Sequence, residues 1–241
     1  MSNLTLLKAQ GSRTSVFLLF LFIYLLSGYC VSAAHREVSI TVAGKSFLID
    51  LPNSLCERSK TSWGADYKKY LLELGAAAGG KPSIVSVIAD CDFVASTKGE
   101  DLPITWGYLA FDNTVGKYWF GQKMLNKRIR KEVQGPGIDK PLAIEFKEVT
   151  NNALKILKSN LSIGGIARIG KPIESRNGFL VTALARLESK GEVDDVYLTT
   201  VTFIRNRQII TFAVYKRAIS ELDLNQVRSI GREFLELLSD P

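Results

Sequence analysis

Histidine, cysteine and proline are scarce in this chain. Its 241 residues include one histidine, His35, with 3 cysteines and 7 prolines. A Ser/His/Asp or Cys/His nucleophile needs an imidazole held inside the fold, which a single histidine near the N-terminus does not provide. Three cysteines are too few for a disulfide scaffold, and 46% hydrophobic residues are too many for a disordered chain. The composition therefore predicts a globular protein that buries its own core.

The N-terminal segment carries the longest apolar run of the chain. Lys8 and Arg13 precede eleven consecutive apolar or aromatic residues, 16–26, and small residues follow up to Ala34. This order is typical of a secretory signal peptide. We expect residues 1–34 to be a cleaved signal peptide, with an uncleaved membrane anchor as the alternative.

In both cases residues 35–241 form a single domain outside the cytoplasm, periplasmic or secreted, or tethered to a membrane by the leader. Only Cys56 and Cys91 remain in this domain. An oxidising compartment favours one disulfide between them, and both lie at the ends of predicted strands. The bridge would close a loop of about 36 residues, for which chain entropy gives a stabilisation of about 4 kcal/mol.

Strands and helices are grouped rather than alternating along residues 35–241. Alternating apolar residues and turn signals predict eight strands, and three-and-four spacing predicts four helices, with Ser62 and Asp223 as caps of the first and last. The predicted strands are 38–42, 47–51, 84–94, 104–111, 163–169, 179–187, 196–204 and 209–215, and the predicted helices are 63–78, 115–133, 142–159 and 223–238. Because the links between the last four strands are short, we expect an α+β fold with an antiparallel sheet of about six to eight strands covered by helices.

Both ends of this domain carry a pattern found elsewhere. The first hairpin includes the segment Gly44 to Pro52, and the segment Arg205 to Phe212 precedes a terminal amphipathic helix. This arrangement resembles the Mog1/PsbP-like α/β/α sandwich of exported, mostly uncharacterised bacterial proteins. The resemblance implies a non-catalytic binding or accessory role, and it transfers no site residues.

Positive charge is concentrated in residues 117–131, which hold six basic residues and no acid in a chain with a formal net charge of +7. On a helix most of these side chains share one face, beside aromatic residues of which Trp119 is expected to be exposed. We predict that this basic helix contacts an envelope protein or an anionic surface, and that membrane association arises from it or from an uncleaved leader. The predicted contact residues are Lys123, Lys127, Arg128, Arg130, Lys131 and Trp119. The alternative is a solvated helix face that keeps the protein soluble.

Other chemistry has weaker sequence support. Asp90 and Asp92 flank Cys91 and point to one face of a strand, which suggests an envelope hydrolase as the alternative function, although such pairs are usually the polar side of a strand end. Neighbouring aromatic residues such as Trp106 and Tyr108 are expected to pack in the core. We assign no catalytic residue, expect no metal or cofactor and no nucleic-acid binding, and interpret the chain as an exported binding or accessory protein.

Overall fold

The computed structural model describes residues 37–42, 44–93, 103–112, 121–134, 151, 152, 154, 155, 161–189 and 192–238. The predicted signal segment 1–34, Trp119 and most of the helix predicted at 142–159 lie outside these residues. In chain order the elements are β1 (Glu37–Val42), β2 (Lys45–Asp50), β3 (Leu55–Glu57), α1 (Ser62–Ala77), β4 (Pro82–Asp90), β5 (Thr105–Asp112), α2 (Gln122–Gln134), β6 (Leu161–Arg168), β7 (Ile173–Glu174), β8 (Phe179–Ser189), β9 (Glu192–Arg205), β10 (Gln208–Arg217) and α3 (Glu221–Leu237).

Eight of these strands form one sheet in the order β3-β4-β5-β10-β9-β8-β6, with the short β7 paired to β8. All its strand pairs are antiparallel. β1 and β2 form a separate antiparallel hairpin. This architecture confirms the predicted α+β class with an antiparallel sheet and helices.

The hairpin between β9 and β10 shows how local sequence fixes the register. Asn206 and Arg207 have φ values of 49° and 64°, which both central residues of a type I′ turn require. The paired positions then run from Arg205 opposite Gln208 to the end of the sheet. β9 begins at Glu192, earlier than the predicted 196, and β8 ends at Ser189, slightly later than the predicted 187.

One face of the sheet is covered by α3 and by the β1–β2 hairpin. The even-numbered residues of β10 point to this face, and Phe212 stacks on Phe234 of α3 with ring centroids 3.8 Å apart. Phe203 of β9 and Ile40 of the hairpin are buried in the same core. Strand alternation therefore leaves the odd-numbered residues of β10 on the opposite face.

Part of that opposite face is covered by α1. Trp63, Tyr67 and Leu71 of the helix pack against Ile84 and Val87 of β4. Their spacing is the three-and-four pattern that predicted the helix, so the apolar stripe of α1 faces the sheet as expected.

The edge of the sheet beside β4 is held by the disulfide between Cys56 and Cys91, whose Cα atoms lie 4.9 Å apart. Cys56 belongs to the three-residue strand β3, and Cys91 directly follows β4. The Cys91 N–H also donates to the Ser54 carbonyl at 3.0 Å. The predicted disulfide is thereby confirmed, and it fixes a strand too short to be held by its ladder alone.

Two predicted helix caps were wrong by one and three residues. The cap of α1 is Thr61, not Ser62, because the Thr61 hydroxyl accepts the Gly64 N–H at 3.1 Å. The last helix begins earlier than predicted: Ser220 is its cap, and the Asp223 carboxylate accepts the Ser220 N–H at 2.8 Å. In both helices the N-cap residue lies upstream of the predicted one, Thr61 before Ser62 and Ser220 before Asp223.

Among the described helices, none combines the length and the hydrophobicity that a membrane span requires.

Candidate functional site

A cavity of about 890 Å³ lies on the face of the sheet opposite α3. α1 borders it on one side, and strands β5, β10, β9, β8 and β6 contribute to it. Most of its described lining is apolar, and it is rich in aromatic rings. The aromatic residues include Trp63, Tyr67, Tyr70, Trp106, Tyr108 and Tyr215.

Strand alternation places three of these rings side by side. Trp106 of β5 is paired in register with Tyr215 of β10, and their ring centroids are 5.8 Å apart with nearly parallel planes. Tyr108 follows two residues after Trp106 and therefore points to the same side, with its ring 6.2 Å from that of Tyr215. The sequence had placed Trp106 and Tyr108 in the core, but they line the cavity and are only partly buried.

The tyrosine hydroxyl groups in the cavity remain protonated at neutral pH. Burial raises the pKa of Tyr67, a shift that neighbouring Tyr108 increases and a hydrogen bond from Trp106 opposes. Burial also raises the pKa of Tyr108 and of Tyr215, and for Tyr215 the adjacent hydroxyls add to the rise. A charged phenolate is disfavoured where water is excluded. The hydroxyl groups of Tyr108 and Tyr215 share a hydrogen bond and that of Tyr67 is bonded to Trp106, so each is neutral and already has one partner.

Charged side chains line the cavity at one end. They are Glu192 and Asp194 at the start of β9 and Arg217 at the end of β10, and all three are exposed. These strand ends are adjacent, because Val196 pairs with Arg217. We call Glu192, Asp194 and Arg217 the cavity mouth; the lining has a further exposed residue elsewhere, Ala78 directly after α1.

The predicted basic helix corresponds to α2, which begins at Gln122; residues 115–120 of the prediction lie outside the described residues. Polar side chains anchor it to the sheet. The Gln122 side-chain oxygen accepts the Ile204 N–H at 2.7 Å, and the Asn126 amide donates to the Ser175 carbonyl at 2.7 Å. Leu125 and Asn126 are buried, so this side of α2 faces the protein. The helix lies at the Ile204 end of β9, away from the cavity mouth.

The predicted partner-binding residues on α2 have different surroundings. Lys123, Lys127 and Arg128 are exposed. The Arg130 guanidinium is paired with the Glu174 carboxylate, its Nε 3.0 Å from Oε2, and is therefore partly neutralised. The side chain of Lys131 lies outside the described residues, as does Trp119.

The two carboxylates considered for catalysis are in different environments. Asp90 Oδ2 accepts the Thr105 N–H at 2.8 Å, which joins the end of β4 to the start of β5. Asp92 is exposed, and neither residue belongs to the described lining of the cavity. The described residues contain no group of three histidine, cysteine or acidic side chains placed to hold a metal ion.

No family model matches the chain, and no curated protein is found to be similar to it. The resemblance to the Mog1/PsbP-like sandwich therefore stays a prediction.

Proposed function

We propose that this is an exported binding protein that holds a small, mostly apolar molecule in the cavity between α1 and the sheet. The observation that carries the proposal is the cavity itself, about 890 Å³ with a mainly aromatic and aliphatic lining. Small-molecule sites typically enclose about 300 to 1,000 Å³ and combine apolar walls with a few polar groups that orient the ligand.

The tyrosine hydroxyl groups of the cavity indicate which kind of ligand it can bind. The hydroxyls of Tyr67, Tyr108 and Tyr215 are neutral at pH 7, as tyrosine is even at its ordinary pKa, and their remaining hydrogen-bonding capacity suits an oxygen or nitrogen atom of an uncharged ligand. Their rings offer flat apolar area for a ring or chain to stack on. The favoured ligand is an elongated apolar molecule with at least one hydrogen-bonding group along its length.

Export rests on the N-terminal sequence and on the disulfide. The bridge between Cys56 and Cys91 fits an oxidising compartment, where disulfides persist. A periplasmic or secreted location agrees with the leader-like residues 1–34. Non-catalytic binding is also what the resemblance to the Mog1/PsbP-like sandwich implies.

A fluorescent ligand tests the cavity. A neutral naphthylamine fluorophore should gain emission on binding to the full chain, and Leu187→Trp should weaken this binding about tenfold or more by filling the cavity. Leu184→Trp is the matched control. It places the same ring on the same strand, but Leu187 lines the cavity and alternation directs Leu184 to the other face. Equal binding by both variants and the parent would contradict the proposal.

The basic face of α2 supports a second candidate, contact with an anionic surface or an acidic protein. Lys123, Lys127 and Arg128 are exposed there, and Arg130 is paired with Glu174. Alanine at the three exposed positions should weaken association with anionic vesicles and reduce its salt dependence. An unchanged affinity would leave α2 as a solvated face. The hydrolase alternative gains no support from Asp90, whose carboxylate holds a backbone N–H.

A further inference from the structure

Aromatic and aliphatic side chains come from different strands of the cavity lining. Every aromatic residue of the described lining belongs to α1, β5 or β10, and we call these residues the aromatic half of the cavity. The lining from β9, β8 and β6 contains no ring. Apart from Glu192 and Asp194 at the mouth, it consists of aliphatic side chains, which we call the aliphatic half. The residues of the aliphatic half are Ile163, Ile166, Ala185, Leu187, Val196 and Leu198.

The strand order makes this separation a spatial one. β5 and β10 are neighbours, they follow β4 against which α1 packs, and β9, β8 and β6 lie beyond them. Trp106 of β5 pairs with Tyr215 of β10, and Tyr215 pairs on its other side with Leu198 of β9. Further from α1, Ala185 of β8 pairs with Ile166 of β6. The rings therefore occupy one side of the cavity, and aliphatic side chains occupy the other.

Neutral hydrogen-bonding side chains follow the same division. The hydroxyl groups of Tyr67, Tyr108 and Tyr215 belong to the aromatic half, whereas the described lining from β9, β8 and β6 has only the charged groups of Glu192 and Asp194, at the mouth. A polar group buried without a hydrogen-bond partner costs free energy. An uncharged polar group of a ligand is therefore accommodated in the aromatic half and disfavoured in the aliphatic half.

We propose that the ligand is an aromatic ring with a hydroxyl or carbonyl group, extended by an aliphatic chain, and that the ring occupies the aromatic half and the chain the aliphatic half. This inference rests on the proposed function, since it requires a molecule bound in the cavity. Contacts between aromatic rings add to the gain from burying their area. Aliphatic walls bury a flexible chain without such contacts.

The charges of the lining argue against a fatty acid as the ligand. Its carboxylate would lie either at the mouth, where Glu192 and Asp194 outnumber Arg217, or beside the tyrosine hydroxyls, where the described lining has no cation. Burying a charge without a partner costs more than burying a neutral polar group. An uncharged ring with a polar substituent avoids this cost.

Isomeric ligands test where the polar group lies. In para-octylphenol the hydroxyl is on the ring, and an isomeric phenyloctanol carries it in the middle of the chain. Each is used to displace the naphthylamine fluorophore from the full chain. We expect para-octylphenol to bind about tenfold more tightly, because the hydroxyl in the chain would be buried without a partner. A fatty-acid anion of similar length should bind more weakly than para-octylphenol.

Variants that remove hydroxyl groups test the cause of this preference. The combination of Tyr67→Phe, Tyr108→Phe and Tyr215→Phe keeps all three rings and should abolish most of the preference for para-octylphenol over its isomer. Tyr197→Phe is the matched control. It removes one hydroxyl from β9, but Tyr197 packs against the core on the opposite face, so the preference should be unchanged.

Quenching by bromine tests the orientation of the ligand. Trp63 and Trp106 lie in the aromatic half, and Trp119 is the third tryptophan of the chain. In W119F all tryptophan emission therefore comes from the aromatic half. Bromine quenches an indole only at close range. At saturation, para-octylphenol brominated on the ring should quench this emission strongly, whereas the same compound brominated at the chain end should quench it little.

Several results would overturn the inference: equal or stronger quenching by bromine at the chain end, equal or tighter binding of the isomer or of the fatty-acid anion, or a preference that survives loss of the three hydroxyls. If the naphthylamine fluorophore binds while any of these is observed, only the assignment of the ligand fails. If neither the fluorophore nor para-octylphenol binds, the proposed function fails with it.

Discussion

The ammonium of Lys216 lies 3.4 Å from Oδ1 of Asp223, and the two side chains are only 9% and 14% exposed. This pair ties the end of β10 to the first turn of α3. Burial alone would raise the pKa of Asp223, but hydrogen bonds from Ser220 and the charge of Lys216 outweigh burial, and the pKa is lowered. The carboxylate is therefore charged at neutral pH and serves both the ion pair and the helix start.

Asp223→Asn should destabilise the protein by about 2 kcal/mol, because it leaves a buried ammonium without its counter-charge and weakens the start of α3. Urea unfolding followed by circular dichroism measures the change. Asp195→Asn is the control. It removes the exposed pair of Asp195 with Arg186, at 3.0 Å, and should leave the unfolding midpoint unchanged. Equal effects of the two variants would contradict a special role for the buried pair.

Loss of the disulfide should destabilise the domain by about 4 kcal/mol, given the sequence separation of 35 between Cys56 and Cys91. The cause is the greater freedom of the unfolded chain. Unfolding with and without reductant measures the effect. In a variant with serine at both positions, the unfolding midpoint should not change when reductant is added. An unfolding midpoint insensitive to reduction in the parent would show that the bridge contributes little.

Gly231→Ala should destabilise the protein by about 1 to 3 kcal/mol, although alanine favours a helix by ~1 kcal/mol. A Cβ at this position of α3 would lie 2.4 Å from Cγ2 of Thr199 and 2.9 Å from Cδ1 of Leu180. The helix would have to move away from the sheet. Gly165→Ala is the control, since nothing lies within 4 Å of its added Cβ. Thermal unfolding compares the two, and a stabilised G231A would mean that the packing adjusts freely.

Alkaline titration should reveal the tyrosines that line the cavity. The chain has 8 tyrosines, and those at positions 67, 108 and 215 should ionise only above the ordinary tyrosine range near pH 10 while the protein is folded, because burial raises the pKa of each. Their contribution to stability is fully present below the unfolded pKa of about 10 and is lost as pH rises towards the folded value. The absorbance of phenolate as a function of pH measures the ionisation. Tyr108→Phe should remove one of the groups that ionise at higher pH. Ionisation of all eight near pH 10 in a folded protein would contradict the desolvated site.

Local sequence determined much of the fold. Apolar residues alternate in β8 to β10 and recur at three-and-four spacing in α1 and α3. Residues close together in the chain set both patterns, so the patterns predicted these elements and the antiparallel sheet. The Asn206-Arg207 link was predictable because it is a local turn. The disulfide was predictable for another reason, because residues 35–241 contain only two cysteines. The predicted helix starts were less accurate, because residues near Thr61 and Ser220 have side chains that could cap the helix equally well.

The cavity was decided by tertiary structure alone. Trp106 and Tyr215 are 109 positions apart, and only the pairing of β5 with β10 makes them neighbours. An aromatic residue in a strand has the same local pattern whether its face is covered by a helix or borders a cavity. The sequence determines which side chains share a face. Which part of that face borders the cavity depends on where the described elements such as α1 and the segment at Leu154 pack, and that depends on contacts between residues far apart in the chain.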